Sequence, residues 1–565
     1  MTEKTIKFNE GLQNLHHDKM AELKKLLPNL FDKDGNLIKS ELENFATGYT
    51  TEKQEPFCFS WAGKQKAKGL AFKESETKLA LKFDDKRGKN TNTTQNLIIE
   101  GDNLQVLKLL VPSYKGKIKC IYIDPPYNTQ HEFIYPDNYA TSELDYLLES
   151  GQIEEGQDIS GQNAKEKNTG RKHSNWLSFM YPRLVLAREL LRADGVIFVS
   201  IDDNEVHHLR QIMNEIFGEE EFVASFIWLK GKEGGNDSSS MRPHHDYILM
   251  YAKNIDNFRI NLDDKDLSRH ISKILEANLV DGIVDEENEG ELFQLVNLSK
   301  QKDYHVKIKL KNGEIIEWQS YAPQSTIDKW IKIGKIFVGK TKVPYVKSYL
   351  KDELEGKKPS NIIEQIHGTT KAGSIEIREI FGNREIFSYP KPVSLIKRIL
   401  QISTAPGDII LDFFAGSGTT GQAVMELNQE EIDKQAKDGL LAEKETVVGG
   451  RKFILVQLPE KIDHKKEAFK FCKNNNLEPV ISNITIERVR RAGEKYKSVD
   501  NGFKVLQLTE SIINRKFMNT INATKEEIFA EIACSYGYGL NYQCRDLHNL
   551  GKGITYLKGN NRQAL

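Results

Sequence analysis

The sequence has no apolar run long enough to cross a membrane: its longest, such as residues 195–201, are strand-sized and well short of the ~18 residues a membrane helix needs. An integral membrane class is therefore not expected. The N-terminus lacks an apolar stretch ahead of a small-residue cleavage site, so no export is expected either. Cysteine is scarce. Cys58, Cys120, Cys472, Cys534 and Cys544 form no Cys-x-x-Cys pair and no obvious disulfide framework, which points to a reducing cytoplasm. Net charge is absent as well, at −1 from 80 basic and 81 acidic residues, so any attraction to nucleic acid has to come from local patches. There is no phosphate-loop Gly-x-x-x-x-Gly-Lys-Ser/Thr, no nuclease-type acidic cluster and no repeat of fixed period. No metal cluster is expected, because His16-His17, His207-His208 and His244-His245 are adjacent pairs whose rings point apart on a strand and do not share one helix face.

What is present is ample for a large enzyme. A length of 565 residues implies three to five structural units, and 39% hydrophobic with 28% charged residues is a globular composition. Residues 1–95 read as a helical and connector region, with Leu23, Leu26, Leu27 and Leu30 on one helix face. Asp32 to Glu43 has the length of a calcium loop, but its glycine stands fourth instead of sixth, which favours an Asp-Gly turn. Residues 51–95 read as a polar connector dotted with lysines. From 96 to 255 strand and helix patterns alternate, the signature of parallel strands joined by right-handed crossovers. Within this span a polar stretch over 150–174 is expected to be a loop, followed by a helix over 176–192 and a buried strand over 195–201.

Residues 256–365 interrupt the alternation. An acidic run is followed by lysines interleaved with Tyr304, Trp318, Tyr321, Trp330, Phe337, Tyr345 and Tyr349. Between 301 and 360 there are 13 lysines against 7 acidic residues, a footprint suited to phosphates or to an ordinary lysine-rich insertion. Sheet texture returns over 366–460, with a charged helical excursion at 429–446. The remainder, 461–565, reads as mostly helical.

Two stretches carry chemistry. Residues 408–414 followed by Ala415-Gly416-Ser417-Gly418-Thr419-Thr420-Gly421 form a strand, a glycine turn and a helix start, the pattern of a nucleotide or nucleoside pocket. Dinucleotide enzymes share it, but they place an acid at the end of the next strand, where this chain has Gln457, with Glu460 three residues on. A nicotinamide-dependent oxidoreductase therefore stays open on this stretch alone. The second stretch is Asp124-Pro125-Pro126-Tyr127, at the end of an apolar strand, where doubly wound sheets present side chains to the ligand crevice. The lone pair of an aromatic amine is delocalised into its ring, so alkylating it requires acceptors at the amino hydrogens. The Asp124 carboxylate and the Pro125 carbonyl are two such acceptors. Two prolines stiffen the turn, and Tyr127 offers a face on which an extruded base can stack.

Taken in order, Asp124 to Tyr127, Tyr389-Pro-Lys391-Pro392 and Phe414-Ala-Gly416-Ser-Gly418 resemble the amino-methyltransferases of DNA in their beta permutation. The stretches 96–104, 334–337, 347–350, 373–382, 450–457 and 487–493 narrow the resemblance to the modification (Mod) subunit of type III restriction systems, over residues 55–510. It implies a Rossmann-like, circularly permuted methyltransferase sheet with helical N- and C-terminal extensions. Residues 96–255 would be the catalytic half, 256–365 the target-recognition insert and 366–460 the cofactor-binding half. It implies S-adenosylmethionine as cofactor, with Asp102 beside the cofactor adenine, Lys391 near its methionine carboxylate, and Asp412, Phe414, Gly416, Gly418 and Gln457 along its wall. It further implies methyl transfer to the N6 amino group of a flipped-out adenine in double-stranded DNA, a homodimer, and a separate helicase-nuclease (Res) subunit for cleavage. An N4-cytosine enzyme and a catalytically silent recognition subunit are the alternatives; Asp rather than Ser at position 124 favours adenine.

Overall fold

The structure, a computed structural model, describes residues 59–73, 79–129, 164–231, 244–263, 293–298, 304–309, 313–338, 342–349, 357–437 and 450–511, together with 24, 27, 30–31, 543–546, 555–559 and 562–564. The stretch from Asp32 to Glu43 lies outside them. The chain forms two compact units, Ile260–Ser360 and all the rest. Among the described residues no helix is long and apolar enough to cross a membrane.

The larger unit begins with α1 (Lys64–Leu70), β1 (Leu79–Phe83), β2 (Leu97–Glu100), α2 (Asn103–Tyr114), β3 (Ile118–Ile123), α3 (Ala164–Leu190), β4 (Leu191–Ile201), α4 (Val206–Phe217), β5 (Phe222–Leu229) and β6 (His245–Ala252). The smaller unit contributes β7 (Phe293–Asn297), β8 (Tyr304–Lys309), β9 (Ile315–Ser320), α5 (Gln324–Lys332), β10 (Ile336–Val338) and β11 (Pro344–Tyr349). The larger unit resumes with β12 (Ile362–Ile363), α6 (Thr370–Phe381), α7 (Val393–Ser403), β13 (Ile409–Asp412), α8 (Thr419–Lys437), β14 (Lys452–Gln457), α9 (Glu467–Asn474), α10 (Ile481–Gly493) and β15 (Lys504–Glu510). Three short strands follow: β16 (Gln543–Asp546), β17 (Thr555–Gly559) and β18 (Arg562–Ala564).

Ten strands of the larger unit form one sheet in the order β1-β15-β2-β14-β13-β3-β4-β6-β5-β12. From β15 to β4 every pairing is parallel, while β6 runs antiparallel to both β4 and β5. The central strands are mainly apolar because both faces are covered, with polar residues such as Glu100, Asp412, Lys452 and Gln457 at their ends. Leu97, Ile99, Ile121, Ile123, Ile197, Val199, Leu411, Ile454 and Val456 share one core with side chains of α1 to α4. Their alternates point the other way, as a period of two requires: Cys120 meets Ser403 of α7, and Phe453 and Leu455 lie against Gly421 of α8. Truncating such a residue to Ala costs about 2–5 kcal/mol.

Some expectations need correction. The polar stretch over 150–174 is helical from Ala164 onward, because Ala, Lys and Glu are strong helix formers whatever their polarity; that helix ends at Leu190, and its strand starts at Leu191 instead of 195. The helical reading of 429–446 holds up to Lys437, as the end of α8, which starts at the glycine turn, while 438–446 lie outside the described residues. The described residues of the C-terminal region include strands as well as helices. After α9 and α10, β15 inserts between β1 and β2, burying Val505 and Leu506, and β16 to β18 form a separate antiparallel sheet. Lys504, Gln507 and Glu510 disguise β15, whose pairing comes from residues 400 positions away. By the same pairing, the connector over 51–95 contributes β1 as the edge strand.

The smaller unit holds the sheet β10-β11-β7, the hairpin of β8 and β9, and α5. Val306 and Ile308 turn into its core with Ile327 and Val346, while Lys307 and Lys309 alternate outward. Trp318, Tyr321 and Trp330 pack against this core, so these aromatics of the insert support its own fold.

Candidate active site

The strand carrying the glycine turn, β13, and the strand carrying Asp124, β3, are neighbours and parallel, with Ile410 opposite Cys120 and Leu411 opposite Ile121. Two segments nearly 300 positions apart thus open at the same carboxyl edge of the sheet, where open α/β sheets bind ligands.

The glycine turn is held from several sides. Gly416 and Gly418 have φ of 53° and 86°, the left-handed region that glycine enters without a Cβ penalty. Asp412 is buried; it accepts from the Phe414 amide at 3.0 Å and from the Thr420 hydroxyl at 2.6 Å. Burial pushes its carboxyl up to about 7, against the pull of those two donors. Gln457 accepts from the Gly416 amide at 2.7 Å and donates to the Leu458 carbonyl at 3.2 Å. The Ala415 and Gly418 amides go to the carbonyls of Val456 and Ala415. Four amides of the turn are therefore spent internally. This is a poor cradle for a diphosphate, which needs such donors free.

Beneath the turn, α10 supplies Thr485, whose hydroxyl donates to the Gly416 carbonyl at 2.5 Å. It also supplies the fully buried Arg488, which donates to Ser417 Oγ at 2.5 Å and Thr419 Oγ1 at 2.6 Å. Arg488 reaches Glu376 of α6 at 3.3 Å; burial raises that carboxyl to about 7 even though Arg488 opposes the shift. Both residues sit in the stretches 373–382 and 487–493, whose sequence marks the family without revealing a role.

At the other half-site, Asp124 is partly exposed and Pro125 is buried. The Trp176 indole donates to the Pro126 carbonyl at 2.7 Å, fixing the turn from α3. Among the described residues nothing donates to the Pro125 carbonyl. Asn128, with φ of 55°, ends the turn; its amide donates to the Lys172 carbonyl at 3.2 Å and to the Glu205 carboxylate. Burial, then the charge of Asp124, holds the Tyr127 phenol well above its ordinary value, so it stays protonated.

Lys391 joins the halves. Its ammonium donates to Asp124 Oδ1 at 2.6 Å and to the Tyr127 hydroxyl at 2.9 Å, and its carbonyl accepts from Thr419 Oγ1 at 3.1 Å. The segment before it packs on α6 so closely that a Cβ at Gly373 would lie 2.2 Å from the Pro390 carbonyl oxygen. Tyr389, with φ of 54°, projects into solvent at 82% exposure.

Asp102 lies one residue beyond Gly101 at the end of β2. It caps α2 by accepting from the Gln105 amide at 2.9 Å and meets Arg183 at 3.3 Å. Arg183 also donates to Asn103 Oδ1 at 2.6 Å, and Asn103 donates to the Phe413 carbonyl at 2.9 Å. Phe414 packs its ring 5.9 Å from that of Phe179. Asn103, Trp176 and Arg183 escape sequence reading because buried hydrogen-bonding roles have no local pattern. The expectation that adjacent histidines point apart is corrected at His207 and His208, whose ring centres lie 4.0 Å apart; the potential ligand atoms of His173, Glu205 and His208 lie within 4.8 Å of one another.

Residues 118–461 match the model of the family described as DNA methylase. The chain is 31% identical over 540 residues to the type III restriction-modification enzyme EcoPI Mod subunit of Escherichia phage P1, covering 90% of this chain and 79% of that one. It is 31% identical over 550 residues to the EcoP15I Mod subunit of Escherichia coli, covering 90% and 80%. The type II methyltransferase M.KpnI of Klebsiella pneumoniae is 29% identical over 433 residues, covering 72% of this chain and 91% of that one. Among solved structures, the PvuII DNA methyltransferase (cytosine-N4-specific) superposes with a TM-score of 0.33 at 12% identity, covering 70% of this chain and 94% of that one, too low to bear on function. With the family model spanning most of the chain and Mod subunits matching nearly all of it, the chain belongs to the DNA methylase family and is a DNA methyltransferase related to the Mod subunits of type III restriction-modification enzymes.

Proposed function

We propose that the chain transfers a methyl group from S-adenosylmethionine to the N6 amino group of an adenine extruded from double-stranded DNA, as the modification subunit of a type III restriction system. The observation that carries this reading is the pairing of Asp124 with the glycine turn on adjacent strands, linked through Lys391.

The turn suits a nucleoside cofactor without phosphates, since its amides are spent. S-Adenosylmethionine meets that condition and supplies, when bound, an electrophilic methyl group on sulfur. Phe414, Gly416 and Gly418 would wall it, and Asp102 would stand near its adenine end. Asp412 and Gln457 hold the shape of the turn. Lys391 is engaged with Asp124, which favours a role in orienting that carboxylate over a first contact with the cofactor carboxylate.

Asp124 and the Pro125 carbonyl accept the two hydrogens of the target amine, favouring a tetrahedral nitrogen whose lone pair attacks the methyl carbon. Asp124 also offers a route for the proton that the nitrogen then loses. Tyr127 gives the extruded base a flat face, returning part of the few kcal/mol spent on unstacking. The unit Ile260–Ser360, with Lys309, Lys329 and Lys332 exposed, is the proposed target-recognition region. A homodimer working in the cytoplasm beside a Res subunit completes the reading; of these, the Res partner is supported by the relatives being Mod subunits of type III restriction-modification enzymes.

Incubating the purified chain with duplex DNA and S-adenosylmethionine, then digesting to nucleosides, identifies the product. N6-methyladenine is expected. N4-methylcytosine would replace the adenine assignment, and cofactor binding that favours NAD would replace the whole reading.

A further inference from the structure

The larger unit buries a carboxylate for which the methyl-transfer reading has no use. Glu205 stands immediately before α4 without a side-chain bond to its amides, and its side chain is fully buried. Among the described residues no lysine or arginine reaches it. Its partners are two imidazoles and an amide: His173 Nδ1 from α3 lies 2.5 Å from Oε1, His208 Nδ1 from α4 lies 2.7 Å from Oε2, and the Asn128 side chain meets Oε1. The potential ligand atoms of His173, Glu205 and His208 all lie within 4.8 Å of one another. A buried carboxylate is stabilised by a counter-charge, and a cation held between the three residues would supply one.

We propose that His173, Glu205 and His208 bind one divalent transition cation of the zinc type, with the Asn128 side chain as an available fourth, oxygen ligand. Imidazole and carboxylate together suit Zn²⁺ and its neighbours Co²⁺, Ni²⁺ and Cu²⁺, and two His with one Glu is a known zinc set. Metal–ligand bonds of ~2.0–2.1 Å put tetrahedral donors ~3.3 Å apart, so the imidazole nitrogens, at 2.5 and 2.7 Å from the Glu205 oxygens, need to move outward by roughly 0.6–0.8 Å. The Asn128 amide can present its oxygen by turning over, since its two ends are nearly alike in shape. His207 is not part of the set. The site draws on three separate segments: the residue after the Asp124–Tyr127 turn, the middle of α3 and the start of α4. Its effect would be to pin the base of the catalytic turn to those helices, without the cation touching the reacting atoms.

The test uses the full chain, stripped with a chelator and titrated calorimetrically with Zn²⁺ alone, so it does not depend on methyl transfer. One equivalent should bind per chain and raise the thermal midpoint. His173→Ala and His208→Ala should each weaken that binding by at least about tenfold, the scale seen even for residues that only orient a ligand. His207→Ala should leave it unchanged. His208→Gln keeps a hydrogen-bond donor for Glu205 but ligates poorly, so it should lose zinc while folding normally. If the wild-type chain takes up no zinc, or takes it up as well without His173 or His208, the cluster is only a carboxylate paired with imidazolium groups and the proposal fails.

Discussion

At the residue scale, the two halves of the site depend on different physics. Lys391 contacts Asp124 and Tyr127 at once, so its main effect should fall on the chemical step. Lys391→Met is expected to lower kcat while leaving the cofactor Kd within a few-fold; a tenfold or greater rise in Kd, with kcat preserved, would return Lys391 to the cofactor carboxylate. Asp412 makes a pH prediction. Its carboxyl, raised to about 7 by burial, holds a proton more tightly in the folded chain than in the unfolded one, where it titrates near 3.9. Through that window the folded state binds more protons, so this residue's contribution to stability falls as pH rises and is lowest above about 7. Asp412→Asn preserves the hydrogen bond from the Phe414 amide and removes the titration. Its stability relative to wild type should therefore increase from pH 5 to pH 8 in thermal denaturation, and a constant difference would contradict the assignment.

At the element scale, α6 and α10 shape the site without touching substrate. The fully buried Arg488 pairs with the partly exposed Glu376 under the glycine turn; breaking a fully buried pair typically costs about 3–5 kcal/mol, and the partial exposure of Glu376 places this one below that range. Arg488→Met should lower the denaturation midpoint accordingly and weaken cofactor binding. Gly373→Ala acts on the other helix. Its Cβ would meet the Pro390 backbone, which cannot yield as a flexible side chain does, so Lys391 should shift and methyl transfer should fall. Wild-type turnover in this variant would show that the close approach is unimportant. Asp124, Tyr127 and the glycine turn are legible in the sequence because strand ends and glycine spacing leave local patterns. The helix from Ala164 and the strand over 504–510 are not, since one is polar and the other takes its form from a distant partner. The links through Arg183, Arg488 and Lys391 arise only once separate segments fold together.

At the scale of the whole molecule, a chain near zero net charge has to bind a polyanion through a local surface. In Ile260–Ser360 the exposed Lys309, Lys329 and Lys332 are candidates for binding phosphate, whereas Lys307 and Lys342 are already paired with Glu317 and Glu314. Replacing the three exposed lysines by Gln should weaken DNA binding and make the salt dependence shallower, by up to about 0.9 in slope for each phosphate that is no longer neutralised. An unchanged slope would place the DNA surface elsewhere.

The central claim is that Asp124 performs the chemistry while the turn on the neighbouring strand holds the cofactor. Its most direct test measures S-adenosylmethionine binding and methyl transfer to duplex DNA on the same preparation of Asp124→Ala. Binding should stay within a few-fold of wild type while transfer drops by about 10²–10³-fold or more, the scale on which removing one preorganised polar group slows other enzymes. Transfer at the wild-type rate would contradict the account.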